Sequence, residues 1–100
     1  MRLAYFGLPL GACLLGGDGH EVSLAVLSPV EAPGRRRLAR LLAPGRVLDA
    51  LGGGEIDAEI DARLAREAPD LIVSWFWTRR LPERWLASAR LGGINAHPSL

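Results

Sequence analysis

The stretch Asp70-Leu71-Ile72-Val73-Ser74-Trp75-Phe76 decides the fold. Its apolar run Leu71-Ile72-Val73 carries no polar alternation, which is what a strand covered on both faces needs, so it predicts a central strand of a parallel sheet. Immediately before it, Ile56, Ile60 and Leu64 recur every four residues. Acids at Glu55, Asp57, Glu59 and Asp61 and bases at Arg63 and Arg66 complement the dipole of a helix that Pro69 ends. Further back, Gly52-Gly53-Gly54 is a flexible break, and residues 46–51 read as a short third strand. Leu38, Leu41 and Leu42 fall at helical spacing from Arg35 until Pro44-Gly45 stops that helix, and residues 30–34 form a loop. Residues 20–27 read as a strand rich in Val and Leu, closed by Ser28-Pro29. Residues 2–6 form the opening strand, and residues 10–15 form a short helix that Gly16-Gly17 terminates. Forward of the deciding stretch, Pro82 opens a short helix through Leu86, Leu91-Gly92-Gly93-Ile94 restarts an extended segment, and Pro98 ends it. This alternation predicts an α/β fold with a mostly parallel sheet, helices on both faces and right-handed crossovers.

The chain has 100 residues, 49% apolar and 23% charged, the size and balance of one small domain rather than a disordered tail. Twelve basic against eleven acidic residues gives no excess for nucleic acid or membrane surfaces. Every basic residue is Arg, a bias that reads as codon pressure and weakens the meaning of any single Arg. One Cys forms no internal disulfide, and two His residues build no dense metal-ligand cluster, so no metal is expected. Leu10-Gly11-Ala12-Cys13 has the form of a lipoprotein cleavage site, but Gly7 and Pro9 interrupt the apolar run before it and a turn into another strand follows. No run approaches the roughly 18–20 apolar residues that span a bilayer. A soluble cytoplasmic protein is expected, with no membrane partner.

The first loop lacks a dinucleotide fingerprint, because Pro9 and Ala12 occupy the glycine positions counted from Gly7. A tight turn with small residues for packing is the reading left. Arg35-Arg36-Arg37 with Arg40 could meet phosphates or simply be a solvated helix face. Cys13 reads as a small buried residue. Trp75, Phe76 and Trp77 stand in a row at the carboxyl end of the central strand and cannot all face the core. At least one must look toward the crevice where open α/β sheets bind ligands, and a flat heteroaromatic ligand suits it. In Asn95-Ala96-His97-Pro98-Ser99, the period of two puts Asn95 and His97 on one face at the end of the last strand. An amide donor beside an imidazole can stabilise an oxyanion and move a proton, the chemistry of acyl transfer to an amine. Ordinary polar residues at a strand end would give the same pattern.

In order along the chain, Met1-Arg2-Leu3-Ala4-Tyr5-Phe6-Gly7, Gly19-His20-Glu21-Val22, Pro69-Asp70-Leu71-Ile72-Val73 and Leu91-Gly92-Gly93-Ile94-Asn95-Ala96-His97-Pro98-Ser99-Leu100 resemble the amino-terminal half of the folate-dependent formyltransferases. That family includes the methionyl-tRNA, amino-sugar and glycinamide ribonucleotide enzymes. The resemblance implies a Rossmann-like three-layer fold, with residues 1–100 forming the amino-terminal part of a catalytic domain that is apparently truncated. It implies 10-formyltetrahydrofolate as formyl donor and a primary amine as acceptor. Asn95 and His97 match the family's catalytic Asn and His, and Ser74, Trp75, Phe76 and Trp77 are expected beside the folate. The family's catalytic Asp lies beyond Leu100 and has no counterpart here; Asp70 should sit at the opposite sheet edge. Methionyl-tRNA is the leading acceptor, through the basic stretch after Pro33-Gly34. Ser74-Trp75-Phe76-Trp77-Thr78-Arg79 is similar instead to the amino-sugar enzymes, so an amino-sugar nucleotide is the alternative. A formyltetrahydrofolate hydrolase and a non-catalytic folate- or nucleotide-binding module stay open. The oligomeric state is not indicated.

Overall fold

The computed structural model describes residues 1–50 and 56–96. It contains strands β1 (Arg2–Gly7), β2 (Glu21–Leu27), β3 (Val47–Asp49), β4 (Leu71–Trp75) and β5 (Gly93–Ala96). Between them run helices α1 (Pro9–Gly17), α2 (Arg35–Leu41), α3 (Asp57–Glu67) and α4 (Glu83–Ala87). The strands form one parallel sheet in the order β3-β2-β1-β4-β5. The chain therefore builds outward from β1 to β3, crosses back, and builds outward again through β4 to β5. The reversal between β1 and β4 is the switch point of a Rossmann-like sheet, where a crevice opens beyond the strands' carboxyl ends.

Alternation along the strands sorts the core into two layers. Ala4, Phe6, Leu24, Val26 and Ile72 pack with Ile60 and Leu64 of α3 and Trp85 of α4. Tyr5, Val22, Ala25 and Leu27 pack with Ala12 and Cys13 of α1 and Leu38 of α2 on the opposite face. Alternation slips once, between Leu3 and Ala4, where the register to β2 jumps from Val22 to Leu24. The extra residue, Ser23, is buried, and its hydroxyl donates to the Leu3 carbonyl at 3.2 Å, satisfying a polar group that burial would otherwise penalise.

The first loop is a packing turn. Pro9 takes the first position of α1, where its missing N–H costs nothing. A Cβ on Gly11 would lie 2.1 Å from the Tyr5 hydroxyl, which donates to the Leu8 carbonyl at 2.6 Å. Burial pushes the Tyr5 phenol well above its ordinary pKa. Cys13 is buried in α1; its thiol faces the Gly34 carbonyl at 3.8 Å, and burial raises its pKa against the opposing pull of Arg37. At the amino edge, Asp70 accepts the Arg2 backbone N–H at 2.9 Å, opposite the candidate site as expected.

Some expectations shift. The helix of residues 10–15 extends over Pro9–Gly17, because the two glycines complete its last turn and Asp18 closes it. Pro82 stands just before α4 rather than in its first turn. The third strand shortens to Val47–Asp49, preceded by a 3-10 turn at Pro44–Arg46; Leu51 and the glycine break lie outside the described residues. Leu41 is half exposed, and Leu38 and Leu42 are the leucines of this stretch that pack into the core layer below. β4 is not fully covered on both faces. Ile72 is buried under α3 and α4, but Val73 and Trp75 are half-buried beside an apolar hollow with Tyr5, Leu14 and Ala96. No described helix is long and apolar enough to cross a membrane.

Candidate active site

The carboxyl edge of the sheet brings together most of the residues singled out in the sequence. Ser74 and Asn95 are register partners on β4 and β5. The Ser74 hydroxyl, buried, donates to Asn95 Oδ1 at 2.7 Å. This contact fixes the orientation of the amide: with its oxygen turned to Ser74, the Nδ2 donors are left for an external acceptor. His97, two residues on, lies outside the described residues.

Beside this pair is a cavity of about 360 Å³ lined by Ser74, Trp77, Arg79, Arg80, Leu81, Leu86, Gly93, Ile94 and Asn95. Its floor is tight, since a Cβ on Gly93 would lie 2.5 Å from Leu86 Cδ2. Its aromatic wall is fixed by packing. Trp77 meets Phe6 edge to face at 5.4 Å, and Phe6 stacks on Trp85 at 5.3 Å. The Arg79 guanidinium lies over both indoles, 5.7 Å from Trp77 and 5.4 Å from Trp85, and is held by Asp57 at 3.1 Å through a second nitrogen contact to the same carboxylate. Trp77 Nε1 is buried without a hydrogen-bond partner among the described residues. Arg84 and the Trp85 indole both donate to Asp61, which holds that carboxyl below its ordinary pKa.

The aromatic run divides as its length required. Trp77 is only 8% exposed, Phe76 is 42% exposed at the edge, and Trp75 packs on the opposite face beside Val73 and Tyr5. Of the four residues expected at a ligand, Ser74 and Trp77 line the cavity, Phe76 stands at the edge, and the Trp75 side chain faces away from it. The basic stretch divides as well. Arg35 is engaged, bonding Asp49 at 2.9 Å and the carbonyls of Ala32 and Val30 at 3.3 Å, and Asp49 raises its pKa further. Arg36, Arg37 and Arg40 stay available around a second hollow with Glu31.

Sequence reasoning missed Arg80, Leu81 and Leu86 as cavity residues. It also read Ser28 only as a strand end, although its buried hydroxyl reaches across β1 to the Phe76 carbonyl at 2.8 Å. The Leu81-Pro82 step before α4 was the available signal for the first group. Nothing local distinguishes Ser28 from an ordinary turn serine.

No family model matches the chain. It is 31% identical to the methionyl-tRNA formyltransferase of Limosilactobacillus fermentum, aligning all of this chain with 34% of that protein. It is 36% identical to that of Bacillus pumilus over 95% of this chain and 32% of that protein. The chain thus spans about a third of the length of these relatives. Its fold matches glycinamide ribonucleotide transformylase 1 from Geobacillus kaustophilus with a TM-score of 0.68 at 24% identity, covering 99% of this chain and 58% of that one. Along its whole length the chain is similar to about a third of these methionyl-tRNA formyltransferases, and it shares the Rossmann-like architecture of the transformylase.

Proposed function

We propose that residues 1–100 form the amino-terminal part of a catalytic domain that transfers formyl from 10-formyltetrahydrofolate to a primary amine in the cytoplasm. The observation that carries this reading is the Ser74–Asn95 pair, an oriented amide donor on the wall of a cavity at the sheet's carboxyl edge. The cavity fits the donor's flat heteroaromatic head. Its volume of about 360 Å³ lies in the small-molecule range, Trp77 offers an aromatic wall, and that indole N–H is buried without a partner among the described residues. Ser74, Trp77 and Leu81 would hold the head, with Phe76 at the rim and Trp75 contributing its backbone.

The bound donor supplies a formyl carbon carried on nitrogen. Asn95 Nδ2 donates to the formyl oxygen as it gains charge, an interaction stronger in the transition state than in the ground state. His97, by its match to the family motif, takes the proton from the attacking amine and returns it to the departing nitrogen, so one C–N bond forms as another breaks. Methionyl-tRNA is the leading acceptor, since the relatives carry that name and Arg36, Arg37 and Arg40 remain available for phosphates. One observation favours an amino-sugar nucleotide instead: Arg35 is already paired with Asp49 and loop carbonyls, which leaves less of the basic stretch for phosphates.

The test uses the intact natural protein with 10-formyltetrahydrofolate and, separately, methionyl-tRNA, an amino-sugar nucleotide and water, following tetrahydrofolate release and formylated product. Formylation of either amine supports the proposal and names the acceptor. Release with water alone replaces it with a hydrolase, and donor binding without release replaces it with a binding module.

A further inference from the structure

We infer that Ser28 is a positioning residue for the cavity: by holding the Phe76 carbonyl, its hydroxyl maintains the backbone inversion that puts Trp77 in the cavity wall. In an unbroken strand, Trp75 and Trp77 would share a face. Here they do not, because Trp75 lies with Val73 and Tyr5, and Trp77 lies with Phe6 and Ile72. The residue between them, Phe76, has φ +61°, the left-handed region that a side chain with a Cβ disfavours. This one residue reverses the alternation and turns the third aromatic toward the cavity.

Something must hold an unfavourable turn at an exposed phenylalanine, and the contacts of its ring do not. The ring meets Trp75 at 5.2 Å and stands 42% exposed at the edge. The backbone is held instead. Ser28 Oγ donates to the Phe76 carbonyl at 2.8 Å, while the Ser28 N–H donates to the Gly7 carbonyl at 2.9 Å. The Leu8 N–H donates to the Trp75 carbonyl at 3.1 Å. Three strand ends, β2, β1 and β4, are thereby stitched in a row across the switch point. Gly7 makes the approach possible, because a Cβ there would lie 1.9 Å from the Trp75 carbonyl oxygen. On its far side, the Ser28 carbonyl faces Arg35 at 3.5 Å, and Arg35 is tied to Asp49, the last residue of β3. Ser28 is 1% exposed, so its hydroxyl faces no solvent competition for the bond.

The consequence for binding rests on the folate reading; the consequence for Trp77 does not. The experiment therefore reads both. In the intact protein labelled with 15N-tryptophan, the Trp77 indole N–H resonance reports the wall, and tetrahydrofolate affinity reports the cavity. Ser28→Ala is expected to shift or broaden the Trp77 resonance and to weaken tetrahydrofolate binding about five- to tenfold, the equivalent of one hydrogen bond. Ser28→Thr, which keeps the hydroxyl, restores both. Phe76→Gly removes the conformational penalty, so adding Ser28→Ala to that background leaves the Trp77 resonance where Phe76→Gly alone puts it. If Ser28→Ala does not fold, Ser28→Cys, which keeps the volume but donates weakly, carries the same comparison. A Trp77 resonance unmoved by the loss of the hydroxyl, or moved equally with Gly at 76, overturns the inference. If the unmodified protein does not bind tetrahydrofolate while the resonance responds as described, the folate reading fails and the positioning role of Ser28 stands.

Discussion

β2 and β5 flank the same pair of inner strands, yet they are made in opposite ways. From Val22 to Leu27, β2 is buried on both faces, whereas every residue of β5 is exposed. Burial fixes β2 by its side chains: Leu24 and Val26 lock to α3, and Ala25 and Leu27 lock to α1 and α2. Among the described residues, β5 is fixed by backbone pairing to β4 and by one side-chain bond, Ser74 to Asn95. The difference teaches where this fold keeps its stability and where it keeps its chemistry. The switch point between the two halves belongs to both.

The largest effect is expected at that switch point. Gly7→Ala places a Cβ against the Trp75 carbonyl at φ +149°, where no flexible side chain can yield. It is expected to cost more than roughly 4 kcal/mol, and soluble yield with thermal unfolding checks it. Next comes Trp85→Ala in the α3–α4 layer, where the indole is buried against Phe6 and bonded to Asp61. A loss of about 3–5 kcal/mol is expected in denaturant unfolding.

Acidification sharpens the contrast between the two sheet edges. The Arg2 backbone N–H, with help from Arg90, holds the Asp70 carboxyl below the ordinary range, and Arg84 and Trp85 do the same for Asp61. A depressed folded pKa contributes stability that is present above the ordinary carboxylate pKa and is lost as pH falls through the folded value. Unfolding midpoints should therefore fall in acid, and Asp70→Asn should flatten part of that decline. The smallest effect belongs to β5. Ile94, 57% exposed, should tolerate Ile94→Thr within about 0.5 kcal/mol in the same denaturant measurement.

The same contrast explains what could be read from the amino-acid order. The inner strands were legible because apolar runs leave a pattern: Leu71-Ile72-Val73 and residues 20–27 both form strands, although only residues 22–27 are buried throughout and β4 is covered fully on one face. The four-residue repeat of Ile56, Ile60 and Leu64 likewise shows α3 and its inward face. Asn95 was legible by its place at a strand end. Its partner Ser74 was expected at the folate, but the bond between them depends on the β4–β5 register, which no local pattern encodes. The inversion at Phe76 was invisible for the same reason. A left-handed residue is expected at Gly or Asn, and here long-range bonds from Ser28 and the strand ends impose it on Phe. The pairing of Arg35 was not legible, because its acceptors, Asp49 and the carbonyls of Ser28, Val30 and Ala32, gather only after folding.

Turnover and thermal stability of Asn95→Ala, measured side by side in the intact protein with 10-formyltetrahydrofolate and its accepted amine, test the central claim most directly. Formyl transfer is expected to fall about a hundred- to a thousandfold, the effect of removing one oxyanion donor, while stability falls by about 1–3 kcal/mol because the buried Ser74 hydroxyl loses its acceptor. Turnover within a few-fold of the unmodified protein would contradict the claim, and so would a loss of activity that merely tracks unfolding.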